Sequence, residues 1–324
     1  MDQLGIDISK KKFDASLLIA GKHRNKVFSN NKGGFGELKK WLKAHNPKSI
    51  HVCMEGTGRL WEPLAEFLQE AGMKVSVVNP LKIKGFAQSE LRRSKTDVLD
   101  AETIARFCRA NEPAEWIRPT AKQKAIRDLQ RCVQAMKTMR AQEKNRSESG
   151  VLNPRVEREI DEHIKYLSDR IDDLDAEILA LLKEDKELKR QFELLNTIKG
   201  VGPTTAVTFL GEVCAANFSN ARELEVFCGI APRVRESGSS VRSKSRMSKV
   251  GNRRIRGVLY MPALAAMRTN PFLREFAQRL KAAGKPGKVG VGAVMRKLLR
   301  LMFAILKSGQ PFDPAHISRM PKAA

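Results

Sequence analysis

The sequence contains no run approaching the roughly 20 apolar residues that a membrane-spanning helix needs. It also does not open on a basic segment leading into an apolar stretch with a cleavage site. Both absences argue against a membrane partner, and a chain that enters a strand pattern directly is expected in the cytoplasm. Cysteine is sparse and odd in number: Cys53, Cys108, Cys132, Cys214 and Cys228 lie far apart, mostly within apolar runs. They read as buried thiols in a reducing compartment, not as a disulfide framework. No CxxC or Cys/His ligand spacing occurs, and His23, His45, His51, His163 and His316 are scattered, which argues against a structural zinc site.

Acidic residues are the other shortage. Against 60 Lys+Arg there are 36 Asp+Glu, so the 324-residue chain carries a formal charge of +24. A chain this basic either neutralises itself on a polyanion or tolerates strong self-repulsion, and nucleic acid is the leading partner. The bland alternative is a basic protein with a merely solvated surface. A hydrophobic content of 42% excludes a disordered basic tail, and the length permits two domains with a core that needs no covalent staples.

From Leu4 the pattern predicts strands over 4–8, 13–20 and 23–29, separated by Lys-rich and Gly-containing turns, as in a three-stranded antiparallel meander. An amphipathic helix (35–44), a strand (49–54), a helix (60–71) and a β-branched strand (75–78) stopped by Asn79-Pro80 follow. This βββαβαβ order, completed by a helix over 97–109 with Val98, Ala101, Ile104, Ala105 and Cys108 on one face, is the order of an RNase H-like domain. Long helices come next. Ile160, Ile164, Leu167, Ile171, Leu174, Ile178, Leu181 and Leu188 form a heptad stripe on a helix expected from 156 to 188, and Ile126, Leu129, Val133 and Met136 share the spacing. With Pro154 between them they predict an antiparallel hairpin, either a packed pair or a dimerisation element. Beyond it, Asn196-Thr197-Ile198-Lys199-Gly200-Val201-Gly202-Pro203 resembles a helix-hairpin-helix turn, in which backbone N–H groups approach a phosphate closely; a purely structural turn is the competing reading.

Four carboxylates are placed where chemistry could use them. Asp7 ends the first strand, Glu55 ends the fourth in Glu55-Gly56-Thr57-Gly58, and Asp97 and Asp100 lie one helical turn apart. Two like charges about 4 Å apart repel by roughly 4 kcal/mol at an effective dielectric near 20, so a converging set stays ionised only if cations fill it. Mg²⁺ suits such hard oxygen ligands, and two ions can clamp the attacking and leaving oxygens of a phosphoryl displacement. Taken singly, each acid has an ordinary reading as a turn, helix-start or capping residue.

The second constellation is basic. Arg233, Arg235, Arg242, Lys244, Arg246, Lys249, Arg253, Arg254 and Arg256 face one acid, Glu236, within a serine-rich stretch. Guanidinium forks at that density would hold a phosphodiester, and a serine held against the phosphorus could attack it. Composition does not say which serine.

Gly5-Ile6-Asp7, Glu55-Gly56-Thr57-Gly58, Lys95-Thr96-Asp97-Val98-Leu99-Asp100, Gly200-Val201-Gly202, Glu236-Ser237-Gly238-Ser239-Ser240 and Arg246-Met247-Ser248-Lys249 together resemble the DEDD transposases of the insertion-sequence-110 family, the bridge-RNA-guided recombinases. The likeness extends through Leu259-Tyr260-Met261-Pro262-Ala263 and Lys307-Ser308-Gly309-Gln310-Pro311. It implies that the four acids bind Mg²⁺, that Ser237 is the nucleophile, and that partners include donor and target DNA, a noncoding guide RNA and further copies of the chain, as a dimer or tetramer. The expected architecture is α/β plus α: an RNase H-like (RuvC-like) domain over 1–118, a coiled-coil hairpin over 119–190, and a mainly helical C-terminal transposase domain over 191–324. Lys199, Gly200 and Gly202 would join Arg233, Arg235, Arg242, Lys244, Arg246, Lys249, Arg253 and Arg254 in holding nucleic acid. A metal-only junction resolvase, an actin-like ATPase and a non-catalytic RNA-binding protein are the alternatives.

Overall fold

The computed structural model describes residues 1–90, 96–150, 153–233, 236–237, 241–242 and 246–313. The chain divides into two compact units, Met1–Arg118 and Pro119–Ala324.

The first unit is built on a five-stranded mixed sheet of order β3-β2-β1-β4-β5. Strands β1 (Asp2–Ile8), β2 (Lys12–Ile19) and β3 (Lys22–Ser29) form the antiparallel meander, while β4 (Ile50–Glu55) and β5 (Lys74–Val78) extend it in parallel from the other edge of β1. Parallel pairing needs crossovers. These are helix α1 (Lys32–Ala44) between β3 and β4, and α2 (Glu62–Glu70) between β4 and β5. Leu4, Ile6, Phe13, Leu17, Leu38, Val52, Leu64 and Leu68 close one core, in which the Phe13 and Phe28 rings stack at 5.4 Å. The sheet buries His51 without orphaning it, because its Nε2 meets Ser76 Oγ at 2.8 Å.

Asn79-Pro80 does end β5, but it also begins α3 (Pro80–Ser89), a helix that the strand-stop reading passed over. Asn79 accepts a bond from the Leu81 amide at 2.9 Å, and proline at the first helical position loses no intrahelical bond. Helix α4 (Asp97–Asn111) is capped by Thr96 and buries Ala101, Ile104, Ala105 and Cys108 as its periodicity predicts, together with Thr103 and Phe107. Val98 does not join that face: it is 37% exposed, because the first turn of α4 projects past the core. α4 lies directly on β1 at Gly5, where a Cβ would come within 2.1 Å of the Ala101 carbonyl oxygen and 2.3 Å of the Ala105 amide nitrogen.

The second unit is helical. Helix α5 (Ala121–Glu148) starts at a capping box formed by Thr120 and Gln123, and α6 (Pro154–Glu184) starts at Asn153. The contacts Lys137–Asp175, Arg140–Ser168 and Glu143–His163 run in opposite directions along the two helices, so the pair is an antiparallel hairpin. Ile160, Leu167, Ile171 and Ile178 of the heptad stripe are buried. The helix expected to continue to 188 stops at Glu184, because Asp185 turns out of helical geometry and caps α7 (Lys186–Asn196) through the Glu187 and Leu188 amides. An aspartate inside an apparently continuous heptad was therefore a helix start. Ile126, Val133, Ile171 and Ile178 share a core with the C-terminal helices, so the half of the hairpin next to them packs within this unit.

Helix α8 (Pro203–Glu212), a short 3₁₀ turn (Ala215–Asn217) and α9 (Ala221–Cys228) follow. Two short ladders come next. In one, β6 (Pro232–Arg233) pairs with the last strand, β9 (Arg246–Met247); in the other, β7 (Glu236–Ser237) pairs with β8 (Val241–Arg242). Helices α10 (Arg253–Val258), α11 (Tyr260–Thr269), α12 (Pro271–Ala282) and α13 (Gly287–Ser308) complete the unit. All five thiols are free, but Cys132 is exposed and Cys214 half-buried, so the expectation of buried thiols holds for Cys53, Cys108 and Cys228 only. Among the described residues no helix is long and apolar enough to cross a membrane.

Candidate active site and nucleic-acid-binding elements

The sheet brings two of the three segments that carry the four acids to one end. β1 and β4 run in parallel with Ile6 beside Met54, so Asp7 and Glu55 leave the ends of adjacent strands. The first turn of α4 carries Asp97 and Asp100 and is held in place by the Thr96 cap and by the close seating of α4 on Gly5. Acids in this turn also suit the positive end of the helix. Burial, and then repulsion from Asp100, Glu55, Asp97 and Asp14, push the Asp7 carboxyl up to about 6. The four acids singled out from sequence are thus electrostatic neighbours.

Two further members of the cluster were missed. Asp14 stands opposite Asp7 in the β1–β2 register and is 5% exposed. Lys12 donates to Asp97 Oδ2 at 2.9 Å and to Asp14 Oδ2 at 3.3 Å. The bond to Asp97, then that to Asp14, hold the ammonium above the usual lysine range. The signal for Asp14 was available, since an acid in the middle of Phe13-Asp14-Ala15-Ser16-Leu17 sits badly in an apolar strand without a partner.

The donors available to a metal are all hard carboxylate oxygens, and after burial the repulsion of Asp100, Glu55, Asp97 and Asp14 adds to the lift of the Asp7 carboxyl. Among the described residues no group of three or more His, Cys, Asp or Glu is gathered tightly enough to hold an ion as it stands, and one Asp97 oxygen is already engaged by Lys12. The donor set fits a hard cation, with Lys12 supplying one positive charge in its place.

In the second unit, Gly200 has φ +105° and a Cβ there would come within 2.6 Å of the Ala266 Cβ. Glycine is needed at that turn for packing against α11. Gly202, which begins α8, has open space around it, and Lys199 beside it is exposed. Arg233 and Arg246 are both exposed and stand directly opposite each other in the β6–β9 ladder, an arrangement that repels unless an anion lies between or above them. Lys249, Arg253 and Arg254 are exposed; Arg254 lies 3.9 Å from Glu212, whose carboxylate is bound mainly by Arg131 at 2.6 Å. Ser237 pairs with Val241 and Glu236 with Arg242 in the β7–β8 ladder. Arg235 and Lys244 lie outside the described residues, as do Lys95, Ser239 and Ser240.

Comparison with known proteins matches both units. A family model described as "Transposase" covers residues 4–154, and one described as "Transposase IS116/IS110/IS902 family" covers residues 192–278. The pilin gene-inverting protein of Moraxella bovis is 34% identical over 314 residues, which is 96% of this chain and 97% of that protein. Its counterpart in Moraxella lacunata is 34% identical over 316 residues, again 96% and 97%. The insertion element IS110 43.6 kDa protein of Streptomyces coelicolor is 30% identical over 149 residues, 46% of this chain and 35% of that protein. The chain belongs to the IS116/IS110/IS902 family of transposases and is a DNA transposase.

Proposed function

We propose that the first unit is an RNase H-like (RuvC-like) catalytic domain whose Asp7, Glu55, Asp97 and Asp100 hold Mg²⁺, and that Ser237 of the second unit is the nucleophile of a DNA strand-transfer reaction. The observation that carries this reading is the placement of Asp7 and Glu55 at the ends of adjacent parallel strands with Asp97 and Asp100 in the first turn of α4, where burial first and then the repulsion of these acids lift the Asp7 carboxyl. Bound divalent ions would neutralise that crowding and stabilise charge on the transferring phosphate.

The chain's own residues supply the rest. Arg233, Arg246, Lys249, Arg253 and Arg254, with Arg235, Arg242 and Lys244, grip the phosphodiester, and Lys199 with the Gly200–Gly202 turn gives a second contact. Attack by Ser237 Oγ forms one oxygen–phosphorus bond as the bond to the departing sugar oxygen breaks. The serine proton leaves and a proton reaches the sugar oxygen, so a phosphodiester is conserved and no external energy source is needed. Segments 119–190 and 191–324 act as hairpin and transposase parts of the second unit.

Strand exchange between two duplexes needs several such serines, which favours a dimer or tetramer. A noncoding guide RNA as a further partner rests on the family likeness and on the +24 charge. The Moraxella relatives are named for inverting a gene, and site-specific exchange of that kind is the reaction class proposed for this chain. The test is a recombination assay on a plasmid bearing both ends of the element. Asp7→Asn, Glu55→Gln, Asp97→Asn and Asp100→Asn should each abolish product while circular dichroism stays native. Full activity of the Asp7 variant would refute the metal reading.

A further inference from the structure

We propose that the α12–α13 face of the second unit is a docking site for the phosphate backbone of duplex DNA. Its foundation is Glu225 of α9, a wholly buried carboxylate. Arg296 Nε donates to it at 2.7 Å, and Arg300 Nε, one turn further along α13, donates to its other oxygen. Each guanidinium is anchored from beneath through Nε and has further N–H donors beyond that bond. A buried carboxylate that fixes two arginines side by side creates a rigid cationic pair, and its own charge is sealed under them.

Lys297 lies between the two in sequence. Its ammonium sits 4.4 Å from the centre of the Phe276 ring and 4.9 Å from that of Phe272, and Arg279 lies over Phe276 at 5.9 Å. Burial, then Arg279, Arg300 and Arg296, hold Lys297 below the usual lysine range. Among the described residues the acids paired with these four cations are Glu225 and Glu275, the latter reaching Arg279 only at 4.0 Å in an exposed pair. Four positive groups against two negative ones, one of them sealed beneath, leave the face with excess positive charge that works against folding unless an anion relieves it. Cations already cap the two phenylalanine rings, so they are not platforms for stacked bases. What remains is a fixed set of N–H donors suited to phosphate oxygens. Duplex DNA is the occupant because the family acts on DNA, and the inference rests on the DNA-binding reading above.

Lys297→Met separates this role from a structural one, because methionine keeps the packing on Phe272 and Phe276 and removes the charge. In nuclease-treated protein the variant should melt at a higher temperature than wild type, since repulsion is lifted. Its affinity for a short labelled duplex of arbitrary sequence should fall severalfold, with the slope of log affinity against log salt shallower by about 0.9, the worth of one phosphate contact. Arg279→Gln, on an exposed side chain, should weaken binding in the same way and decides the matter if the lysine variant folds poorly. A lower melting temperature with unchanged affinity would make Lys297 a packing residue and overturn the proposal. So would a loss confined to single-stranded RNA of equal length. If Arg246→Gln weakens binding and neither α12–α13 variant does, this face alone is wrong; wild-type protein with no affinity for the duplex would overturn the DNA-binding reading as well.

Discussion

Lys12 Nζ lies 2.9 Å from Asp97 Oδ2 and so ties strand β2 to the first turn of α4 across 85 residues of sequence. The same ammonium reaches Asp14, which faces Asp7 in the β1–β2 register. A fixed positive charge thus stands among acids that would otherwise repel one another, and it occupies an oxygen that a metal ion would need. Replacing it with a neutral side chain of similar length, Lys12→Met, is expected to raise Mn²⁺ affinity about two- to fivefold, the range measured for exposed ion pairs, and to lower the melting temperature in chelator. Mn²⁺ titration followed by electron paramagnetic resonance reads the first effect directly. Equal affinities in wild type and variant would remove Lys12 from the site.

The Asp7 carboxyl, lifted from 3.8 to about 6, fixes a pH dependence. Between those values the folded protein holds a proton that the unfolded chain has released, so folding stability falls as pH rises through the window and stays reduced above it. Asp7→Asn removes the penalty. In chelator the variant should be more stable than wild type above pH 6, with the difference closing as pH falls towards 3.8. Saturating Mg²⁺ should reverse the order by stabilising wild type alone. Thermal melts across pH settle this, and a less stable Asp7→Asn in chelator would show that Asp7 is held by favourable bonds instead.

Gly5→Ala tests how α4 is positioned. The new methyl would collide with the backbone of Ala101 and Ala105, which cannot swing aside as a side chain can. A loss of about 1–3 kcal/mol or more is expected, with recombination reduced because Asp97 and Asp100 move with the helix. Gly36→Ala is the control: it lies within α1 with open space around it and should gain roughly 0.5–1 kcal/mol. Denaturant titration of both variants gives the comparison, and a neutral Gly5→Ala would mean that α4 is not seated through this contact.

Much of the first unit was legible because its signals are local and redundant. Period-two alternation in Leu4-Gly5-Ile6 and Phe13-Asp14-Ala15, and acids placed at strand ends, point to the same elements that the structure forms. What escaped depended on ambiguous single residues or on register. Asn79-Pro80 terminates a strand and starts a helix with the same two residues, and only the end of β5 was read from it. Asp185 occupies a heptad without breaking its apolar spacing, so the break it makes is invisible to periodicity. Asp14 and Lys12 enter the acidic cluster through the β1–β2 register and an 85-residue loop closure, neither of which a linear pattern encodes. The choice of Ser237 among neighbouring serines came from family likeness alone, since residue chemistry does not distinguish them.

The proposed coupling of metal-bound carboxylates to a serine nucleophile is tested most directly by trapping the reaction on labelled element-end DNA and resolving it on a denaturing gel. Wild-type protein, loaded with the guide RNA and Mg²⁺, should give a protease-sensitive shifted band that is absent in chelator, absent with Asp7→Asn and absent with Ser237→Ala. A shifted band of wild-type intensity from Ser237→Ala, or one that forms without divalent metal, would contradict the account.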